Sequence, residues 1–522
     1  MNLSKTYIQV PSWKRTSSIQ MTLDNDFNVS DSKSDIERIV QEKGKLNVQE
    51  IKPMDDKCLV RGTLDFGILY IGDDGSGQLQ SMEGEIRFEE VVNMDGLRET
   101  DTVWIRWDLE DLRAGLINSR KVNLRSIVVL HFEGRRVEEE EVAIALEQEP
   151  GRWTQNKQLP LTMLYLQGKD QIRVKEEMTI PANRPNMMSI IWHQENMDHL
   201  DVKLQDGYVL IRGQMSLFVL YRDEMMDNTV NDVELNVPFE GRMEMIDVRQ
   251  EMIPDVKVRL DQVKLDIRND SDGEARILGI EAILVTENRI YREEVLNLLK
   301  DIYAPDRTYL PEKKMVNMEH LALKNKSQCP VRERVKLKRD LARMLQICHT
   351  KADVKIDQME VTEEGIDVEG VVSLQILYIS SDDHKPVNSA KAMVPFNYTI
   401  EAGSISKKDV FDVYPSVEQL NVTMTDSDEI EVKMVISLDA TIFKIVSVEV
   451  VSQVLEEALD YKKIEAMPGM IGHMVGSEDT LWALAKQYYA SPEDIREMNG
   501  LDGDKLPVGE SILIMKNMEI FK

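Results

Sequence analysis

Between Gly62 and Tyr70 the chain alternates: Leu64, Phe66, Ile68 and Tyr70 are apolar, while the positions between them are mixed. A period of two marks a strand with one buried face. The pattern returns as Gly213–Tyr221, with Met215, Leu217, Val219 and Tyr221 on one face, and as Gly370–Tyr378, with Val372, Leu374, Ile376 and Tyr378. Phe88, Phe239 and Phe396 each lie 18 residues past these tyrosines, and an acidic pair follows each one (Asp73-Asp74, Asp223-Glu224, Asp382-Asp383). Each copy therefore predicts a hairpin: a strand, a solvated acidic turn, and a strand returning through the phenylalanine. The glycines recur 151 and 157 residues apart, which is the size of a domain rather than of a solenoid repeat.

Long strands follow each hairpin. Ile430, Val432, Met434, Ile436, Leu438, Ala440 and Ile442 alternate with mostly polar positions, after a turn at Asp426-Ser427-Asp428 matched by Asp270-Ser271-Asp272 and Asn118-Ser119-Arg120. Hairpins and long strands without amphipathic helices between them predict a mainly β protein of three tandem antiparallel sandwich or open-barrel domains. Short helices are expected over 34–40, 186–192 and 340–347. Residues 1–22 form an N-terminal arm, with the option of pairing as a strand with the first domain. Proline, glycine and charge changes at 150–160, 303–314 and 467–472 read as linkers, giving domains at 23–150, 161–304 and 315–466 and a terminal module at 472–517. Because each copy carries its own buried face, residues 165–305 are expected to fold alone.

Composition narrows the function classes. With 64 basic and 93 acidic residues the net charge is −29, which argues against nucleic acid or anionic lipid as the main partner. Three cysteines, an odd number, suit a reducing compartment. The N-terminus lacks the apolar core of a signal peptide, and no 18-residue apolar run exists, so neither secretion nor a transmembrane segment is expected.

The last 50 residues change character. His473-Met-Val475 is followed by Glu478-Asp479-Thr480-Leu481-Trp482-Ala-Leu484-Ala485, then Tyr488, Ile495, Asn499-Gly500-Leu501, Leu506, Val508-Gly509 and Ile512-Leu513-Ile514. Asp479 is placed to cap a helix carrying Leu481, Leu484, Ala485 and Tyr488 on one side; Ser491, Pro492, Glu493 and Asp494 open a second. This stretch resembles a LysM module, a small α+β unit of strand–helix–helix–strand order. The resemblance implies a glycan-binding groove between the loop before the first helix (Ser477, Glu478, Asp479, Thr480, with Trp482 just inside it) and the loop after the second (Asn499, Gly500, Leu501, Asp502). Glu478 and Glu510 depart from the family's glycine and glutamine. Glu478 sets a charge on a rim where backbone usually meets sugar. Three such repeats followed by one LysM module resemble the SipL family of clostridial spore-coat morphogenesis proteins, whose repeats are called SPOCS domains. That resemblance implies a chain made in the mother-cell cytoplasm that joins the coat at the forespore surface, its LysM module docking onto the coat ATPase SpoIVA.

Catalytic signatures are missing: there is no G-x-x-x-x-G-K-[ST], G-x-S-x-G, H-E-x-x-H or C-x-x-C. Asp24 to Asp35 has the acidic spacing of a calcium loop, but Val29 stands where the sharp turn needs glycine. His193 and His199 lack a carboxylate at metal spacing, and Cys348-His349 is a lone pair; no cofactor or metal is expected. Trp482 reads equally as packing beside Leu481 or as an exposed anchor for a partner. The sequence thus points to a non-enzymatic scaffold. A peptidoglycan- or cortex-binding protein and a cell-wall hydrolase are the competing classes.

Overall fold

A computed structural model describes residues 3–73, 78–146, 152–223, 230–337, 342–382, 386–403 and 405–516. Asp74, Glu224 and Asp383 of the predicted acidic turns lie outside the described residues. The first repeat comprises β1 (Leu3–Asn28), β2 (Ile36–Met54), β3 (Lys57–Gly72), β4 (Leu79–Asn93), β5 (Thr102–Asn118) and β6 (Lys121–Leu146). The second runs through β7 (Trp153–Thr179), β8 (Met187–Gln205), β9 (Tyr208–Asp223), β10 (Val230–Glu244), β11 (Ile253–Asn269) and β12 (Ala275–Tyr303). The third holds β13 (Thr308–Lys336), β14 (Met344–Val361), β15 (Gly365–Ser380), β16 (Val387–Glu401), β17 (Val410–Asp426) and β18 (Glu429–Glu457). Each repeat forms two antiparallel three-stranded sheets, β1-β6-β5 and β2-β3-β4 in the first, with the same order in the others. The two sheets enclose one apolar core per repeat, and among the described residues no sheet closes into a barrel.

The recurring glycine and phenylalanine are partners across the hairpin: Gly62 faces Phe88, Gly213 faces Phe239, and Gly370 faces Phe396. A Cβ on Gly62 would lie 2.7 Å from the Phe88 ring, and the other two copies are as tight. The ring lies over bare backbone, so the pair is one packing unit and the spacing between its members is set by the hairpin. The tyrosines Tyr70, Tyr221 and Tyr378 are fully buried. Their hydroxyls are not wet, as a strand-end position suggests, but donate to Gln80 Oε1, Pro185 O and Ala342 O, each at 3.1 Å.

Two expectations change. The segments at 36–40, 187–192 and 344–348 are the starts of β2, β8 and β14 rather than helices. Each carries two register shifts three residues apart, at Ile36/Arg38 and Ile39/Gln41, at Met187/Ser189 and Ile190/Trp192, and at Met344/Gln346 and Ile347/His349. Two bulges so placed put apolar residues at helix-like intervals inside a strand. The N-terminal arm pairs as a strand with the first repeat, β1 with β6 from Leu3 to Asn28, and its Asp24 and Asp26 accept from Asn123 Nδ2. The starts assigned at 23, 161 and 315 fall inside β1, β7 and β13. Pro11, Pro160 and Pro311 sit there on two-stranded ribbons, where a missing N–H on the outer edge costs no ladder bond.

Those ribbons extend beyond the sandwiches. β5, β11 and β17 end opposite Arg135, Tyr291 and Phe443, so beyond these points only the pairs β1/β6, β7/β12 and β13/β18 continue. The three ribbons converge on one apolar cluster containing Ile8, Val142, Leu159, Leu161, Leu298, Val316, Met318, Val448 and Val450. At the other end the second faces of the repeat strands meet in a cluster of Leu69, Ile71, Trp192, Phe218, Leu220 and Leu377. Both faces of these strands are therefore buried, one in the repeat and one between repeats. All three repeats contribute to both clusters. Charged side chains cross between repeats as well: Lys355 pairs with Glu110 at 2.8 Å, and the Arg289 guanidinium lies over the Trp104 ring at 4.6 Å. Burial works to push Asp412 up, but the ion pair with Lys257 of the second repeat outweighs it and holds the carboxyl down at about 2.

Candidate functional site

After a short helix α1 (Tyr461–Glu465) the chain forms β19 (Met470–Met474), α2 (Leu481–Tyr488), α3 (Pro492–Asn499) and β20 (Ser511–Met515). β19 and β20 pair antiparallel. Leu481, Leu484, Ala485, Ile495, Ile512 and Ile514 form the buried core. Thr480, not Asp479, caps α2: its side chain accepts from Ala483 N–H at 3.1 Å. Asp479 instead accepts from His473 Nε2 at 2.7 Å and from Gly476 N–H at 2.8 Å, and these bonds, His473 first, hold its carboxyl below the usual range. Ser491 caps α3 with Pro492 in its first turn, and Gly500 closes it with φ 62°.

The nine residues singled out from sequence divide by their work. Asn499 is clamped on the edge of β20, donating to Leu513 O at 2.7 Å and accepting from Leu513 N–H at 2.8 Å. Leu501 packs against the core. Together with Asp479, Thr480 and Gly500, these side chains and backbone turns build the module itself. Ser477, Glu478 and Asp502 are exposed and otherwise uncommitted in shape.

Trp482 has a partner within the chain. Its indole Nε1–H donates to Asp301 Oδ2 at 2.8 Å, and Lys486, one turn further along α2, donates to both Asp301 oxygens at 2.8 and 2.9 Å. The Trp482 ring meets Tyr303 edge-on at 6.3 Å, and Tyr303 stacks on Trp153 at 5.5 Å. Asp301 follows a bulge in β12 between Leu299 and Asp301, at the free end of the second repeat's ribbon. The module thus seats its α2 face on the ribbon tip and leaves its two loops exposed. Sequence reasoning placed Trp153 and Tyr303 in linkers; two aromatic residues within supposed linkers were the available signal.

Of the histidines weighed from sequence, His349 is packed between repeats, His193 bonds Glu195 and His199 is exposed. Burial pushes Cys58 and Cys348 up to about 11, away from thiolate chemistry. His349 stacks on Phe218 at 4.4 Å between repeats. Among the described residues no group of three or more His, Cys, Asp or Glu is disposed to hold a metal ion, and no helix is long and apolar enough to cross a membrane.

Fold and module define a class: tandem β-sandwich repeats bearing one small βααβ recognition unit. Residues 35–117, 186–268 and 343–425 match the SipL, SPOCS domain family, and residues 473–514 match the LysM domain. The chain carries three SPOCS domains of the SipL family and a C-terminal LysM domain, and sporulation and the spore coat follow from the SipL family. No curated protein and no solved structure matches the chain.

Proposed function

We propose that this chain is a non-enzymatic scaffold of the spore coat, acting in the mother cell at the forespore surface, which docks through its LysM module onto the coat ATPase SpoIVA and helps the coat encase the forespore. The observation that carries this reading is the composition of the free rim. The two loops expose Ser477, Glu478, Thr480, Gly500 and Asp502, and the charged side chains among these, Glu478 and Asp502, are both carboxylates. A ligand covering a carboxylate must supply a compensating charge or hydrogen bonds. A basic protein surface offers a charge-assisted partner, whereas a neutral sugar offers hydroxyls and amides only. The three repeats then act as a rigid base that presents the module.

The second reading is a peptidoglycan-type glycan in the same groove, favoured by the LysM assignment and by loops that the ribbon dock leaves open. Calorimetry of the whole chain against SpoIVA and against N-acetylglucosamine oligomers separates the two. Binding to SpoIVA that weakens with salt and with Glu478→Lys is expected. Micromolar glycan binding without SpoIVA binding overturns the scaffold reading and makes the chain a cortex-attached lectin.

A further inference from the structure

The LysM module has a second exposed face. Along β19 and β20 the residues directed away from the helices are Met470, Gly472 and Met474, facing Met515, Leu513 and Ser511 in register. Met470, Met474, Leu513 and Met515, with Val508 in the adjoining turn, are 41–66 % exposed. The helical face is already occupied by Asp301 and Tyr303, so the sheet face is the apolar surface this module turns outward. A contiguous apolar patch of this kind on a small acidic unit marks a contact site.

Its shape is specific. Gly472 leaves bare backbone in the centre of the patch: a Cβ there would meet only Ser511 Oγ, at 3.7 Å. The floor is thus a notch walled by Met470, Met474 and Leu513, and methionine walls adapt to the side chain that enters. Glu510 is exposed at the Met474 end, where its carbonyl accepts from Val475 N–H at 2.9 Å. Residues 472–516 carry eight acidic side chains against four basic ones. An apolar knob with basic neighbours satisfies both the notch and the field around it.

We infer that the outer face of β19–β20 is a docking surface for a protein segment that presents one bulky aromatic or aliphatic side chain flanked by lysine or arginine. This rests on the reading of the module as a protein-docking unit, and adds to the loops a second, separate surface.

The test is to pan a phage-displayed random peptide library on the full chain and measure the enriched peptides by fluorescence anisotropy. Peptides with a bulky apolar residue beside basic residues are expected. Gly472→Val fills the notch in a strand that tolerates it, and Met474→Glu spoils the wall; each should weaken binding at least about tenfold. Glu478→Lys and Asp502→Lys should change it less than about twofold. Unchanged thermal melting of the variants shows that the fold is kept. No enrichment, or binding indifferent to both Gly472→Val and Met474→Glu, overturns the inference. Binding lost only in the loop variants overturns it while leaving the scaffold reading intact. Three other occupants would equally overturn it: a second copy, if the chain dimerises and Gly472→Val abolishes the dimer in sedimentation; a bilayer, if phosphatidylcholine vesicles bind in a Met474-dependent way; and the chain's own end, if peptides bind only after truncation at Lys516.

Discussion

Excising the second repeat, residues 153–303, tests whether the repeats are independent. Its sandwich core lies within the repeat and is retained. Nine large side chains lose their cover: Leu159, Leu161 and Leu298 from the ribbon cluster, Ile191, Trp192, Phe218 and Leu220 from the opposite end, and Leu299 and Ile302 near the tip. At roughly 1.5–3 kcal/mol for each buried side chain, their burial amounts to roughly 15–25 kcal/mol in the whole chain. That exceeds the net stability of a typical domain, about 5–15 kcal/mol. A monomeric fragment would also leave a large contiguous apolar surface in water. The expected outcome is a fragment that self-associates, or stays monomeric only with frayed ribbons. Sedimentation velocity over a concentration series, with thermal melting followed by circular dichroism, reads this directly. A fragment that remains monomeric at high concentration and melts as cooperatively as the whole chain refutes the reasoning, and restores the independent domains that the sequence alone suggests.

Three further outcomes are expected. Leu217→Asp places an unpaired carboxylate in a fully buried site of the second sandwich, which should cost several kcal/mol, on the order of a domain's whole margin; a variant that melts like the parent would place that face outside the core. Asp301→Ala removes the acceptor of Trp482 and Lys486 and should cost the docked module about 2 kcal/mol, roughly 30-fold in its docked population, read as faster amide exchange in α2. Lys486→Ala should add little on top of it, and full additivity would argue against the shared contact. Burial, and after it the Lys351 ammonium, keep the His349 imidazole neutral in the fold, its pKa down at about 4 from 6.5. The unfolded chain therefore takes up the proton first. The stabilisation is complete above pH 6.5 and is lost as pH falls from 6.5 to 4, by about 3 kcal/mol in all. His349→Phe should flatten denaturant midpoints across that window, and an unchanged pH dependence would assign the effect elsewhere.

What the sequence determined by itself is what local chemistry dictates. The period of two along Gly62–Tyr70 and its copies, the hairpin returning through each phenylalanine, the N-cap of α3, and the LysM and SPOCS resemblances could all be read residue by residue, because each depends on neighbours in the chain or one hairpin away. The tertiary structure decided the rest. Leu69, Phe218, Leu220 and Leu377 look like the mixed second face of a half-wet strand, and only the meeting of three repeats buries them. The bulges that begin β2, β8 and β14 imitate helical spacing, since an inserted residue shifts the period without changing the composition. Trp482 could be assigned neither to packing nor to binding from sequence. Its partner Asp301 is 181 residues away and reaches it only because the second ribbon is long enough to carry its tip to the module.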